Sequence, residues 1–298
     1  MRRLNNSNLK IAKTIKLFIG GEFQRTESGR SAAVYIHEKS KAKDRAKDRV
    51  KKTYANVCLA SRKDLRNAVS AAQAAQPGWQ NKSAYNRGQI LYRMAEMTEA
   101  KREEFVEILK VTRGLSKTSA EKSVSQAIEA FVYYAGFADK FQQIMGSVNP
   151  VSGPHHNVTS TEAVGLVGLI CDKKFDLAAV VAQIAAIITT GNALVSLLPF
   201  EGSVLLAPLA EVFATSDLPK GVINLLSGNT EELYPQFGSH MEIQSLSCQL
   251  RDKKNLGELR TMAAANMKRI IPPVKNLQSL EHLMSFVEFK TVWHPVGY

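Results

Sequence analysis

The residues best placed for chemistry stand in the run GLVGLICDKKFDLAAV, residues 165–180. Cys171 opens a polar turn between an apolar strand pattern and an apolar helix pattern, and Lys173 and Lys174 follow it. Nearby cations and a helix N-terminus lower a thiol pKa, so this spacing suits a redox-reactive cysteine. The plainer alternative is a loop carrying two solvated charges. His155-His156 beside Pro154 is a weak metal signal, and a solvated loop pair is its simpler reading. Arg87-Gly-Gln89 and Asn255-Leu-Gly-Glu-Leu both fall inside helix patterns and read as structural. HExxH, Walker, GxGxxG and Ser-His-Asp patterns are missing, so no metal ligands are assigned.

Elements that would position these groups follow from periodicity. Lys16-Leu-Phe-Ile-Gly-Gly-Glu-Phe reads as strand, Gly-Gly turn and strand, and Thr53–Ala60 reads as another strand. Ser61-Arg-Lys-Asp64 starts a helix that stops at Pro77-Gly78-Trp79. A second helix covers about 84–112 with Gly114 as its cap, and Thr118-Ser-Ala-Glu121 opens a third that runs to about Met145. Pro150 to Glu162 reads as loop and extended chain. From 163 onward strands (165–170, 193–198, 222–227, 242–248) alternate with helices (176–189, 202–215, 229–238, 255–265). Such alternation builds a parallel sheet with right-handed crossovers. Glu288–Val296 reads as a final strand.

Composition bounds the partners. Residues 1–52 carry 15 Lys/Arg and 5 Asp/Glu, so ten of the twelve net positive charges lie there and the rest is near neutral. The alternating basic run KSKAKDRAKDRVKK, 39–52, has no interleaved aromatics and reads as a solvated insertion, not a nucleic-acid surface. Three scattered cysteines, Cys58, Cys171 and Cys248, argue against a disulfide framework and fit a reducing compartment. No apolar run reaches bilayer length, and the first residues lack a secretory pattern. The expected location is cytoplasmic, with mitochondrial targeting as a minor alternative.

Several motifs occur in a telling order. They are Lys16-Leu-Phe-Ile-Gly-Gly-Glu-Phe, Pro77-Gly-Trp79, Tyr133-Tyr-Ala-Gly-Phe-Ala-Asp139, Gly165-Leu-Val-Gly-Leu-Ile, Gly191-Asn192-Ala-Leu-Val and Leu218-Pro-Lys-Gly-Val-Ile-Asn-Leu-Leu-Ser-Gly228. Together they resemble the cofactor-binding half of an aldehyde dehydrogenase, over most of residues 16–270. Ser61-Arg-Lys-Asp-Leu-Arg-Asn-Ala-Val and the ending Lys290-Thr-Val-Trp-His-Pro-Val-Gly resemble most the degenerate second unit of aldehyde dehydrogenase family 16.

The resemblance implies a chemistry and shows departures from it. Aldehyde oxidation needs a thiolate, a carboxylate base and oxyanion donors. The family's Gly-Gln-x-Cys nucleophile segment and Glu-Leu-Gly-Gly base turn have no counterpart here. Its oxyanion-binding Asn, in a Pro-Trp-Asn-Phe turn, is replaced by Lys174. Its Lys-Pro-Ser-Glu ribose segment corresponds, with a one-residue insertion, to Leu198-Pro199-Phe200-Glu201, which retains the glutamate but has Leu198 in place of the lysine. Its Gly-Ser pyrophosphate turn reads Gln249-Leu250-Arg251-Asp252, without the glycine.

The expected fold is therefore α/β: a Rossmann-like parallel sheet with flanking helices, plus remnant oligomerisation strands, with the catalytic domain largely missing. The expected organisation is a lead (1–15), a helical and strand part (16–146), an oligomerisation hairpin (147–164), the cofactor-binding core (165–272) and a linker with an oligomerisation strand (273–298). The expected function is a non-catalytic scaffold or assembly module. The alternative is part of an active NAD(P)-dependent aldehyde dehydrogenase completed by another unit. Glu201, Leu198 and Pro199 are the eroded cofactor positions, and no tight cofactor binding is expected. The partners implied by the family are another copy or an adjacent aldehyde dehydrogenase unit, because a missing catalytic domain would bare the inner side of the core. Membrane association is not expected.

Overall fold

A computed structural model describes residues 12–37, 52–250 and 252–297. The basic run at 39–51, Arg251 and most of the N-terminal lead lie outside these residues. In chain order the elements begin with β1 (Lys13–Ile15), β2 (Leu17–Ile19), β3 (Glu22–Gln24), β4 (Ser31–Tyr35) and β5 (Thr53–Cys58). The helical layer follows: α1 (Arg62–Gln80), α2 (Ala84–Ala100), α3 (Arg102–Arg113), α4 (Lys117–Phe137) and α5 (Phe141–Met145). Then come β6 (Ser147–Asn149), β7 (His155–Ala163), β8 (Leu166–Ile170), α6 (Leu177–Thr189) and β9 (Ala193–Pro199). A 3-10 turn at Phe200–Leu205 leads into α7 (Leu206–Ala214), β10 (Ile223–Gly228), α8 (Thr230–Ser239), β11 (Ser245–Cys248) and α9 (Lys253–Ala264). The chain closes with β12 (Arg269–Ile271), α10 (Leu280–Met284) and β13 (Val287–Pro295).

The central sheet has seven strands in the order β12-β11-β8-β9-β10-β2-β3. From β12 to β10 all neighbours are parallel, and β2 and β3 add an antiparallel edge. Every residue of β8, β9, β10 and β11 is buried. A parallel sheet covered on both faces requires such runs of apolar side chains, which is why they read clearly in the sequence. Helices α6 and α7, backed by α2, α3 and α4, cover one face. Helices α1, α8 and α9 cover the other. Strand order reverses between β8 and β11, which creates a crevice at the carboxyl ends of those strands.

Helix boundaries follow local chemistry. Ser61 and Asp64 form a reciprocal capping box at α1, as the spacing predicts. This helix continues through Pro77 to Gln80 instead of stopping there. Trp79 explains the extension: it is fully buried and its ring N–H donates to Ile188 O at 2.9 Å. Burying such a side chain contributes about 1.5–3 kcal/mol or more. The predicted 84–112 helix is two helices broken at Lys101, whose ammonium bridges Glu104 and Glu211. Gly114 caps α3 in the left-handed region (φ 67°). The next helix starts two residues early, because Ser116, not Thr118, accepts the Ser119 N–H. It ends at Phe137 instead of Met145, and α5 follows a turn.

His155 and His156 open β7 and are not a loop pair. Strand β7 is the centre of a small antiparallel sheet, β13-β7-β6. The inner side of the core is not bare at α6. All of its residues except Ala178 and Ala179 are buried. Helix α4 packs along it, and the chain's own Leu277, Leu280, Leu283 and Phe286 return to the same core. Asn192 Nδ2 donates to Phe286 O at 2.8 Å, and Arg269 donates to Val287 O at 2.8 Å, which pins this return.

Candidate functional site

Three loops meet at the reversal point. The loop after β8, residues 171–176, carries the first candidates. Cys171 is buried at 1 % exposure and its Sγ lies 3.8 Å from Ser196 Oγ. Burial pushes its thiol up to about 12, the opposite of activation. Cys171 is therefore not poised as a thiolate: the flanking lysines face solvent while the thiol faces the sheet. Lys173 pairs with Glu231 at 2.6 Å. Lys174 is exposed and makes no ion pair among the described residues. The Phe175 ring packs directly on Gly202, where a Cβ would collide with it.

The loop after β9 holds the residues that the resemblance assigns to the cofactor. Leu198 is fully buried in the larger core and Pro199 is buried at the strand end. Glu201 is exposed at the start of the 3-10 turn. Arg113, from the end of α3, ties the two loops together. It donates to Phe175 O at 3.3 Å and to Glu201 O at 3.4 Å. Thus Lys174 and Glu201 stand on adjoining loops, while Leu198 turns away into the core.

The loop after β11 is occupied by its own hydrogen bonds. Gln249 Nε2 and Ser247 Oγ both donate to Gln183 Oε1, at 2.9 and 2.6 Å. Leu250 is buried. Asp252 Oδ1 accepts the Lys254 N–H at 3.1 Å and caps α9. Asp176 caps α6 in the same way, accepting the Ala178 N–H at 3.1 Å. Free N–H groups at a helix start suit an anion. Here the side-chain carboxylates of Asp176 and Asp252 each take one of them. The cavity between the loops, lined by Cys171, Asp172, Lys174, Phe175, Gln183 and Gln249, measures about 120 Å³. Ligand pockets for larger molecules are typically about 300–1,000 Å³.

Glu258 lies on α9, inside the helix the sequence predicts. Its carboxylate accepts the Tyr234 hydroxyl at 2.6 Å, which pushes that phenol up to about 12. Arg87 is buried in α2 and donates to Thr189 O, Gln80 O and Lys82 O, a purely structural triple contact. Sequence reasoning missed Arg113 and the capping aspartates. An Asp directly before a helix pattern is the signal that could have found both caps.

Comparison with known proteins sets this geometry in context. The aldehyde dehydrogenase family model matches residues 35–271. The chain belongs to the aldehyde dehydrogenase family. It is 29 % identical over 275 residues to the cytosolic 10-formyltetrahydrofolate dehydrogenase of Xenopus laevis, covering 90 % of this chain and 29 % of that protein. The mitochondrial 10-formyltetrahydrofolate dehydrogenase of Mus musculus is 28 % identical over 277 residues, again 90 % of this chain and 28 % of the relative. An NAD+ complex of an aldehyde dehydrogenase from Bacillus cereus superposes with a TM-score of 0.77 at 25 % identity, over 87 % of this chain and 50 % of that one. The chain therefore spans about half of the solved enzyme and under a third of these two curated relatives. The α/β expectation holds, with the parallel sheet and flanking helices of the family. No helix among the described residues is long and apolar enough to cross a membrane.

Proposed function

We propose that this chain is a non-catalytic aldehyde dehydrogenase-fold module that serves in assembly. The observation that carries the reading is the chemistry of its thiols. Oxidation of an aldehyde starts with a thiolate attacking the carbonyl carbon, and a carboxylate base later activates water to release the acid. Cys58, Cys171 and Cys248 are all buried. Burial raises the pKa of Cys171 and Cys248, so neither is poised as a thiolate. Lys174 stands where the family resemblance expects an oxyanion-binding amide, and Glu258 is committed to Tyr234.

The residues around the reversal point fit a dinucleotide poorly. Asp252 places a carboxylate in the turn that the resemblance assigns to the pyrophosphate. Leu198 offers no hydrogen bond to a ribose, and the neighbouring cavity is small. No chemical step is therefore assigned to NAD(P) in this chain. Its partners are another copy or an adjacent aldehyde dehydrogenase unit, and a cytoplasmic location is the simplest, with mitochondria second.

A second reading rests on coverage. Because the chain spans half of the B. cereus enzyme, it could form part of an active NAD(P)-dependent dehydrogenase whose nucleophile comes from another unit. Aldehyde-dependent NAD(P)H formation by the purified chain separates the readings. No turnover is expected; clear turnover by the chain alone refutes the assembly reading.

A further inference from the structure

The start of α2 lies against the end of α4. A Cβ on Gly88 would stand 3.0 Å from Ala135 O and 3.4 Å from the Ala138 methyl, so the two backbones approach closely there. Beside this contact the helices leave an open cleft of about 530 Å³. Ligand pockets typically measure about 300–1,000 Å³. Gly136 lines the cleft from α4, and a Cβ there would meet no atom within 4 Å. The missing side chain therefore helps to keep the cleft open. Tyr85 and Tyr92 line it from α2, and Val132 lines it from α4. Tyr85 is 67 % exposed and Tyr92 is 54 % exposed, so both rings are free to receive a partner. Seven residues make about two helical turns, which sets the tyrosines on one side of α2, about 10.5 Å apart along its axis.

One end of the cleft suits an ammonium group. Asp139 and Lys140 line it there, just past the last turn of α4. Carbonyls at a helix C-terminus attract cations. The Lys140 ammonium already shows the contact: it donates to Gly136 O and lies 3.4 Å from Asp139 Oδ1. The Lys140 side chain is 62 % exposed, so it can swing out to water. Arg93, next to Tyr92 on α2, is held by Glu96 at 3.2 Å and brings no unpaired positive charge to the other end.

We propose that this cleft binds an aromatic primary amine, with its ring between Tyr85 and Tyr92 and its ammonium on Asp139 and Gly136 O. The ligand's ammonium takes the place of the Lys140 ammonium, which moves into solvent. Aromatic rings attract one another edge-on or offset, and a tyrosine face attracts a nearby cation. The bond from the ammonium to the Asp139 carboxylate is charge-assisted, the stronger class of hydrogen bond. A neutral alcohol of the same shape loses that assistance, and a carboxylate of the same shape is repelled by Asp139. The site is therefore selective for charge as well as shape. It shares no residue with the cavity at the reversal point, so its success or failure leaves the functional reading untouched.

The test titrates the full chain with phenethylamine in a calorimeter at pH 7, with phenethyl alcohol and hydrocinnamate as controls of matching shape. The expected dissociation constant for the amine is below about 1 mM. Both controls bind about tenfold more weakly or worse. Asp139→Asn weakens the amine about tenfold. Tyr85→Ala and Tyr92→Ala each weaken it about threefold or more. Lys140→Met removes the internal competitor and tightens binding about threefold. Gly136→Leu fills the cleft and abolishes binding without lowering Tm, because the space beyond its Cβ is open. All five positions are exposed, and circular dichroism checks that the fold is retained. No binding at about 10 mM amine overturns the proposal. So does equal affinity for the alcohol, or amine binding that is undiminished in Gly136→Leu.

Discussion

The Phe175 ring lies against the backbone of Gly202, so close that no Cβ fits at that position. This contact joins the loop after β8 to the turn after β9, and Arg113 reinforces it from outside. Gly202→Ala must push the ring or the turn aside. Overpacking of this kind typically costs about 1–3 kcal/mol. Thermal denaturation should show a clear drop in Tm. Gly136→Ala is the control, since it sits inside α4 with no atom near a new Cβ. That change should stabilise by about 0.5–1 kcal/mol. Equal Tm values for the two variants would contradict the packing account.

His282 is 1 % exposed, and neither ring nitrogen has a hydrogen-bond partner among the described residues. Burial pulls its pKa down from 6.5 to about 4. The folded state therefore refuses a proton that the unfolded chain accepts. Stability is complete above about pH 6.5 and falls as the pH drops toward 4. Linkage puts the loss at about 2 kcal/mol by pH 5. Urea denaturation at pH 7 and pH 5 measures it. His282→Phe should remove most of the difference; a variant with the same pH dependence would rule out this histidine as its source.

Thiol labelling reads the burial of the cysteines directly. In the native protein, iodoacetamide at neutral pH should modify Cys58, Cys171 and Cys248 slowly and without preference for Cys171. After denaturation all three should label quickly. Selective native labelling at Cys171, located by mass spectrometry, would revive a reactive-thiol role.

Asp252 serves α9 as a cap. Asp252→Ala should cost about 1 kcal/mol, while Asp252→Ser keeps an accepting oxygen and most of the stability. Calorimetric titration of the unaltered chain with NAD+ should give a dissociation constant above about 1 mM, weaker than about −4.1 kcal/mol. Micromolar binding would overturn the view of this loop as unsuited to pyrophosphate.

The sequence made the central sheet legible because β8 to β11 are buried on both faces and their composition leaves little choice. Helix starts were legible where a side chain closes a local ring, as Ser61 and Asp64 do. The break at Lys101 was not, since its cause is a distant carboxylate on Glu211. The state of the Cys171 thiol was not legible for a similar reason. Adjacent lysines suggested an electropositive thiol, but the neighbour that decides its pKa is the packed sheet. The histidines show the limit most clearly. His155 and His156 are adjacent in sequence yet face opposite sides of β7, and the partner of His156 lies across the sheet on β13. Only strand register reveals that pairing. Register over such a separation is set by tertiary packing, not by local pattern.

The self-capped helices at the reversal point also bear on sequence drift over evolutionary time. Replacing either aspartate by a residue that cannot accept the helix N–H costs about 1 kcal/mol of helix stability, while serine costs little. A typical domain has only about 5–15 kcal/mol in reserve. Drift at these two positions is therefore filtered toward side chains that keep the cap. The hydrogen bonds that hold α6 and α9 in place also narrow the sequences their loops can sample.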